Sequence, residues 1–69
     1  MDRTELQITE LDLPIRTVNM LQEAGIFTVG DLLHRRQAEL LGIPNFGRRC
    51  LEHVLIALED IGFQQATGG

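Results

Sequence analysis

The chain has 69 residues, enough for one domain, and a domain of this length buries only about 60% of the surface that it exposes when unfolded. The hydrophobic fraction of 43% excludes a disordered tail, and the lack of Trp and Tyr predicts an aliphatic core with little room for an enzyme's deep pocket. Because the sequence has one cysteine, it cannot form an intramolecular disulfide. The longest apolar run, residues 54–58, is too short to cross a bilayer. No signal-peptide pattern follows Met1. We therefore expect a cytoplasmic domain that is neither an enzyme nor bound to a membrane.

The net charge of −4 argues against nucleic acid as a partner until its distribution is considered. All six basic residues are arginines, and all of them except Arg3 fall between positions 16 and 49. Most of the acidic residues crowd the two ends of the sequence instead. This pattern predicts a local basic surface on an acidic protein, but it does not predict a wide basic groove.

The two ends of the sequence lack a helical apolar pattern. Residues 1–7 and 64–69 are predicted to be flexible, and residues 8–13 alternate apolar and polar side chains too briefly for a sheet. We interpret residues 8–13 as an extended lead-in or a short irregular turn. Asp12 is predicted to cap the helix that follows, with Pro14 in its first turn, where a missing N–H costs nothing.

The first two predicted helices are short and amphipathic. One buries Ile15, Val18 and Leu21 and ends at Gly25. The next helix begins at Thr28, a residue type that caps helices well. The apolar residues of this second helix are Val29, Leu32 and Leu33.

The second half of the sequence predicts two more helices. Residues 37–41 form a short helical turn that Gly42 stops. The last helix has the clearest pattern in the protein, because it starts near Gly47, stops at Gly62 and holds apolar residues at helical spacing throughout. Those apolar residues are Leu51, Val54, Leu55, Leu58 and Ile61.

A short motif occurs twice, each time between two helices. Residues 25–30 and 42–47 share the pattern Gly-Ile-x-x-apolar-Gly. In each copy we expect the first glycine to end a helix with positive φ, the two apolar residues to enter the core, and the second glycine to open the next helix. The repeat predicts an all-α, compact four- to five-helix domain over residues 8–63, built from two helix-hairpin-helix motifs.

The second copy of the motif also predicts a phosphate site. A glycine that opens a helix leaves backbone N–H groups uncovered, and Gly47 does this directly ahead of Arg48 and Arg49. In the first copy, Asp31 follows the glycine and would repel a phosphate. We therefore expect the first hairpin to be structural and the second to bind. The alternative is that both hairpins only pack the fold and that the arginines are solvated.

A second candidate surface lies on the first helix. Arg16, Asn19 and Met20 stand at i, i+3 and i+4 and so share one face, opposite the apolar residues. An arginine can enter a narrow minor groove of DNA, where the potential is most negative, and an amide one turn away can bond backbone or base. The alternative is an exposed polar face without a partner.

The cysteine and a histidine are one helical turn apart. Cys50 and His53 invite comparison with a metal or nucleophile site, but a zinc site needs about four ligands and only His34 remains as a further Cys or His. A thiolate nucleophile also needs a base and an oxyanion site, and no residue pattern supplies the latter. We predict no metal, no cofactor and no catalytic residue.

The sequence resembles the C-terminal domain of the bacterial RNA polymerase alpha subunit in the order and spacing of four stretches. These stretches are residues 13–21, 24–33, 40–41 and 45–51. The resemblance covers residues 8–63 and needs no gaps. It implies binding to the minor groove of A/T-rich double-stranded DNA upstream of promoters. It also implies contacts with sigma factor, RNA polymerase and transcription regulators, and a place at the bacterial nucleoid.

The resemblance implies DNA-binding roles for particular residues. Arg16 stands at the position of the family's minor-groove arginine, and Asn19 at that of its neighbouring asparagine. Gly47 stands at the backbone contact of the second hairpin. Arg49 matches the basic residue near the phosphates, and Arg48 lies beside it.

The sequence departs from the family at several of these positions. Met20 stands where a Cys is usual, and Cys50 replaces a Ser whose hydroxyl would bond a phosphate. The resemblance still implies that Met20 and Cys50 contact DNA. His53 replaces a carboxylate, and Pro14 replaces a hydroxyl cap. These departures predict altered or weakened DNA binding, and they hint at a free-standing paralogue or a piece of a longer protein.

An alternative function follows from the acidic lead-in. Glu10 and Asp12 match the residues by which the family contacts sigma factor. With the net charge of −4 and the departures just described, they favour a protein-interaction module that kept the fold, lost DNA binding and contacts polymerase, sigma factor or a regulator. A third hypothesis is sequence-neutral DNA binding by the two hairpins, which would show no A/T preference.

Overall fold

The computed structural model describes residues 3–63, which form four α-helices preceded by two 3₁₀ helices. The α-helices are α1 (Ile15–Glu23), α2 (Val29–Leu33), α3 (Gln37–Leu41) and α4 (Arg48–Asp60), and the 3₁₀ helices span Arg3–Glu5 and Ile8–Glu10. Over this range the one β-type pairing is an isolated antiparallel bridge between Gln7 and Thr28. The predicted all-α class, with the hairpin units α1–α2 and α3–α4, is confirmed.

The start of α1 differs from its prediction. Pro14, not Asp12, is the N-cap residue, and its carbonyl accepts hydrogen bonds from the N–H groups of Thr17 and Val18. A side chain that caps a helix reaches the first free N–H groups only when its residue is at the N-cap position. Asp12 lies two residues too early for that, so the prediction that it caps α1 is wrong.

The buried face of α1 is rotated relative to the prediction. Leu21 and Thr17, one turn apart, are fully buried, and Val18 is partly buried, but Ile15 is 79% exposed. Six helical residues turn the backbone by about 600°, so Ile15 lies roughly 120° around the helix from Leu21. Ile15 therefore points away from the core, and its assignment to the buried face is wrong.

The first hairpin is held by a reciprocal cap. Gly25 has φ +85° and ends α1 as predicted, and Thr28 is the N-cap of α2. The Thr28 hydroxyl accepts from the Asp31 N–H, while the Asp31 carboxylate accepts from the N–H groups of Phe27 and Thr28. Gly30 lies inside α2 and does not open it, which corrects the expected role of this glycine. Leu33, counted among the apolar residues of α2, lies at its exposed edge.

The second hairpin has a different backbone from the first. Gly42 has φ −79°, not the expected positive value, because its N–H still bonds back to Ala38 and Glu39 as a continuation of α3. The positive φ occurs at Asn45 instead, at +67°. Asn tolerates this conformation better than most residues that carry a Cβ. Gly47 is the N-cap of α4, as predicted.

The core lies between the hairpins and is closed by α4. Leu51, Val54 and Leu58 of α4 are buried, α3 packs against α4, and Gly62 follows the helix with φ +94°. The other buried apolar residues are Ile8, Leu11, Leu21, Ile26, Val29, Leu32, Leu40, Phe46 and Ala57. Among the helices of residues 3–63, none is long and apolar enough to cross a membrane.

The segment before α1 belongs to the packed fold. Residues 3–7, predicted to be flexible, include a 3₁₀ helix that packs against α2. The Leu6 carbonyl accepts from the Val29 N–H, and the Arg3 guanidinium donates to the Ile61 carbonyl beyond α4. Residues 8–13 are not an extended lead-in, because Ile8–Glu10 is helical and Ile8 is fully buried. The predicted flexible end at 64–69 lies outside the described residues.

Candidate nucleic-acid interface

A surface depression of about 470 Å³ lies where the start of α1 meets the second hairpin and the start of α4. We call it the basic depression. Its lining residues are Pro14, Arg16, Thr17, Asn45, Gly47, Arg49, Cys50 and His53. Arg16 and Gly47, the two residues on which the predicted DNA surface depends, therefore share one concavity, and both are exposed.

The charge of the basic depression is positive although the protein is acidic. Arg16 approaches from α1 and Arg49 from α4, and among the described residues that line the depression none carries a carboxylate. Charges within a few ångströms outweigh a distributed net charge, because salt screens exposed charges beyond about 8–10 Å. The depression is therefore suited to an anion.

The N-terminus of α4 opens into this depression with its first turn uncapped. Gly47 makes no capping hydrogen bond, and no acidic residue stands in the first turn of α4. A Cβ placed on Gly47 would meet no atom within 4 Å, so the approach to the helix end is open. Arg48 and Arg49 stand at the positive end of the helix dipole, which is unfavourable for cations in the absence of an anion. A bound phosphate would relieve this repulsion and accept from the free N–H groups.

Not every predicted DNA-binding residue lies in the basic depression. Cys50 lines it and is half-buried. Asn19 and Arg48 are exposed but do not line the basic depression. Met20 is half-buried and lines a neighbouring depression of about 600 Å³, together with Glu23 and other residues of α1, α3 and the second hairpin.

Four residues of the basic depression were not predicted as site residues. Asn45 is exposed and lines both the basic depression and its neighbour, at the point where the backbone turns with positive φ. In the sequence, the Pro-Asn dipeptide at this point indicates only a turn. Thr17 and Pro14 line the depression because the buried face of α1 is rotated relative to the prediction, and the apolar pattern did not reveal that rotation. His53 could have been found from its spacing, because it follows Arg49 by one helical turn.

Two polar atoms at this site are buried without a hydrogen-bond partner. They are Thr17 Oγ1, on α1, and His53 Nδ1, on α4. Buried polar atoms are nearly always satisfied, so an unpartnered pair beside one depression marks a place where a partner is expected. Within residues 3–63, no three His, Cys, Asp or Glu side chains are grouped as metal ligands would be.

The remaining arginines of the central segment serve the fold or face solvent. Arg35 Nη2 donates to the Ala24 carbonyl at the end of α1, a favourable position for a cation near a helix C-terminus. Arg36 precedes α3 and is exposed, and its backbone N–H donates to the Glu39 carboxylate. Neither residue lines the basic depression.

The acidic pair before α1 is exposed. Glu10 ends the second 3₁₀ helix, and its Oε2 accepts from the Gln7 N–H at 2.8 Å, so this carboxylate stabilises its own turn. Asp12 is exposed as well. Both carboxylates remain accessible to a partner that approaches the segment before α1.

The fold and the basic depression define a class: a small all-α domain of two helix-hairpin-helix units with a positively charged depression beside the second hairpin. The family of the C-terminal domain of the bacterial RNA polymerase alpha subunit matches residues 1–60, and the protein belongs to that family. The resemblance inferred from the sequence is thereby confirmed, and with it a role connected with transcription.

A curated relative is the DNA-directed RNA polymerase subunit alpha of Oceanobacillus iheyensis. It is 43% identical to the present sequence over 58 residues. The match covers 84% of the present sequence and 18% of the relative, so the domain described here spans only a small part of the length of that subunit.

Proposed function

We propose that this domain is a non-catalytic DNA-binding module of the bacterial transcription apparatus, which holds A/T-rich double-stranded DNA by its minor groove. The observation that carries the proposal is that Arg16 and the uncapped N-terminus of α4 share one depression without a carboxylate. Membership of the family of polymerase alpha C-terminal domains supports the same assignment.

Each part of the depression has a separate task in this proposal. Arg16 enters the minor groove, whose potential is most negative where A/T-rich sequence narrows it. The N–H groups that follow Gly47 bind one backbone phosphate, and Arg49 neutralises the same strand with Arg48 beside it. Asn45, which is exposed in the depression, bonds sugar or base edges, and Asn19, one turn after Arg16 on α1, does so from outside the depression.

The substituted positions modify this binding surface. Met20 offers a flexible apolar contact beside Arg16, and the Cys50 thiol is a weaker hydrogen-bond donor than a hydroxyl. We expect one isolated domain to bind weakly, in the range of about 10⁻⁴–10⁻⁶ M that is typical of contacts dominated by phosphate. Affinity falls steeply with salt for the same reason.

The proposal includes a protein contact through the acidic pair. Glu10 and Asp12 are exposed next to α1 and are available to a basic surface of sigma factor or of another transcription protein bound to adjacent DNA. Such rim charges chiefly set association rate and salt dependence. A place in the bacterial cytoplasm, at the nucleoid, belongs to this proposal as well.

An NMR titration of the labelled 69-residue protein with two short duplexes tests the DNA proposal. One duplex contains an A-tract and the other is G/C-rich, with equal length and equal salt. We expect shifts confined to the start of α1, the second hairpin and the first turn of α4, with the A-tract bound more tightly. Equal affinity for both duplexes supports sequence-neutral binding instead, and shifts located elsewhere contradict the assignment.

The net charge of −4 and the exposed acidic pair favour one other function, a protein-interaction module without DNA binding. It predicts no shifts with either duplex, but a complex with purified sigma factor that survives nuclease treatment. A double substitution, Glu10→Lys with Asp12→Lys, weakens that complex in this case, whereas Arg16→Ala leaves it intact.

A further inference from the structure

Two unpartnered polar atoms lie on neighbouring helices at the basic depression. Thr17 is 0% exposed, and its Oγ1 has no hydrogen-bond partner. His53 Nδ1 is buried and also has none. Both residues line the same depression, Thr17 from α1 and His53 from α4. Orphaned polar atoms of this kind are costly, so their retention at a binding surface calls for a function.

The two groups are chemically complementary. A hydroxyl both donates and accepts, and an imidazole nitrogen does either according to its protonation. An Nδ1–H of His53 is a chemically suitable donor for Thr17 Oγ1. Because Nδ1 is the buried nitrogen, Nε2 is the one that a ligand in the depression can reach. The bond at one nitrogen of a histidine sets the role of the other.

The charged groups around His53 in the depression are positive. The depression presents Arg16 from α1 and Arg49 with the Cys50 thiol from α4, while Asn45 and Gly47 of the hairpin are uncharged. A phosphate bound between the two guanidinium groups brings a negative charge into the depression, and a negative charge favours the imidazolium form of a histidine beside it.

We propose that His53 is a proton-dependent phosphate ligand of this domain and that Thr17 is its positioning residue. Protonated His53 donates from Nε2 to a DNA backbone phosphate and from Nδ1 to the Thr17 hydroxyl. Binding therefore takes up one proton from solvent and strengthens as pH falls through the range in which histidine titrates. This inference rests on the proposed DNA-binding function and adds its regulation by pH.

The test measures affinity for the A-tract duplex by fluorescence anisotropy at pH 5.8 and pH 7.5, at several salt concentrations. The wild-type protein is compared with His53→Gln and with His34→Gln. His34 is the matched control, because it is the other histidine of the protein, is exposed, bonds through Nδ1 to the Gly30 carbonyl and lies outside the depression. Circular dichroism at both pH values verifies that every variant is folded.

We expect the wild type and His34→Gln to bind about fivefold to tenfold more tightly at pH 5.8, since one linked proton changes affinity by at most about tenfold per pH unit. At the lower pH, the plot of log affinity against log salt steepens by about 0.9, the increment for one additional phosphate contact. His53→Gln loses both the affinity gain and the steeper slope.

Thr17→Val tests the positioning role, because valine fills the same volume without the hydroxyl. We expect its affinity gain between pH 7.5 and pH 5.8 to shrink to about twofold, a change that altered packing alone does not produce. An equal gain in the wild type and His53→Gln overturns the pH inference while leaving DNA binding intact. Absence of binding by every variant and the wild type at both pH values overturns the DNA proposal and this inference together.

Discussion

At the scale of single residues, Arg16 and Arg49 differ in what they contribute although they share the basic depression. Arg16 is exposed on α1, where its long side chain can enter a groove, whereas Arg49 stands in the first turn of α4 beside the uncapped helix end that we propose as the phosphate site. The binding energy of an arginine in the minor groove depends on the width of the groove, whereas that of an arginine at a phosphate depends only on charge.

We therefore expect Arg16→Ala to remove most of the preference for A-tract over G/C duplexes. Arg49→Ala should weaken binding to both duplexes about equally and reduce the salt slope by about 1. The matched control is Arg36→Ala, which removes the same charge from an exposed position outside the depression. Anisotropy titrations of all three variants decide the matter, and a loss of A-tract preference in Arg36→Ala would contradict the assigned roles.

Asp31 shows how one carboxylate stabilises a hairpin. Hydrogen bonds from the backbone N–H of Phe27, and then of Thr28, lower the pKa of this carboxyl, with a smaller contribution from the charge of His34. Because the pKa of Asp31 is lower in the folded protein than in the unfolded protein, its stabilising effect is complete above the unfolded pKa of about 3.9. The stabilisation is lost as pH falls through the folded-state pKa.

We predict that Asp31→Asn lowers the melting temperature at pH 7 and flattens its decline between about pH 5 and pH 2. The reason is that the amide keeps one acceptor but loses the charge that the two backbone N–H groups favour. Thermal melts followed by circular dichroism at a series of pH values measure this. Equal acid sensitivity in the variant and the wild type would show that other carboxylates are responsible.

At the scale of elements, the two hairpins share a motif but differ in how the helix after the hairpin begins. In the first hairpin the Asp31 N–H donates to the Thr28 hydroxyl and the Val29 N–H donates to the Leu6 carbonyl, so two of the first three N–H groups of α2 already have acceptors. In the second hairpin Gly47 offers only a hydrogen atom in place of a capping group, and the start of α4 stays open. This difference between a capped and an uncapped helix end is the basis on which we propose a structural role for the first hairpin and a binding role for the second.

This contrast predicts opposite effects of one substitution on stability and on binding. Gly47 has φ −102° and ψ −175°, which suits an Asp or Ser N-cap, and its surroundings leave space for a larger residue. Gly47→Asp should raise the free energy of unfolding by a few tenths of a kcal/mol, because it caps α4, yet reduce DNA affinity at least about tenfold by repelling phosphate.

Gly47→Ser is the matched control, since it caps the helix without adding charge. We expect similar stabilisation and a much smaller loss of DNA affinity than for Gly47→Asp. Urea denaturation and duplex titration of both variants separate the effects. An equal loss of affinity in the two variants would indicate steric obstruction, and not repulsion of a phosphate, as the cause.

At the scale of the whole molecule, the segment before α1 ties the two halves together. Residues 3–7 contact α2 through the Leu6 carbonyl and reach the end of α4 through the Arg3 guanidinium. These contacts join residues 3–7 to parts of the protein that are distant in the sequence. Because a domain of this size has a small core, we expect such contacts to stabilise it, although residues 3–7 have no strong helical pattern of their own.

We predict that a variant beginning at residue 8 has a free energy of unfolding lower by about 1–3 kcal/mol, from the lost packing of Leu6 and the unpaired Val29 N–H. Urea denaturation measures the difference, and Arg3→Ala should reproduce only part of it. The DNA affinity of the shortened variant stays close to that of the full-length protein below its melting temperature, since Arg3 lies at the end of α4 opposite Gly47. Unchanged stability would restore the prediction of a flexible end.

Much of the local structure could be predicted from the sequence because it depends on neighbouring residues. Gly25, Thr28, Gly47 and Gly62 mark helix boundaries through backbone conformation and capping, which residue type largely determines. Helical spacing likewise predicted three buried residues of α4, Leu51, Val54 and Leu58, but it missed Ala57, and Leu55 is only partly buried. The family could be inferred from the order of the same residues.

Only the tertiary structure decided which faces meet. The burial of Thr17, the exposure of Ile15 and the unpartnered His53 Nδ1 all depend on how α1 and α4 pack within the domain. The joint position of Arg16 and Gly47 in one depression does so too. Periodicity along one helix defines which residues share a face, but the rotation of that face against a distant helix is determined by packing between segments far apart in the sequence.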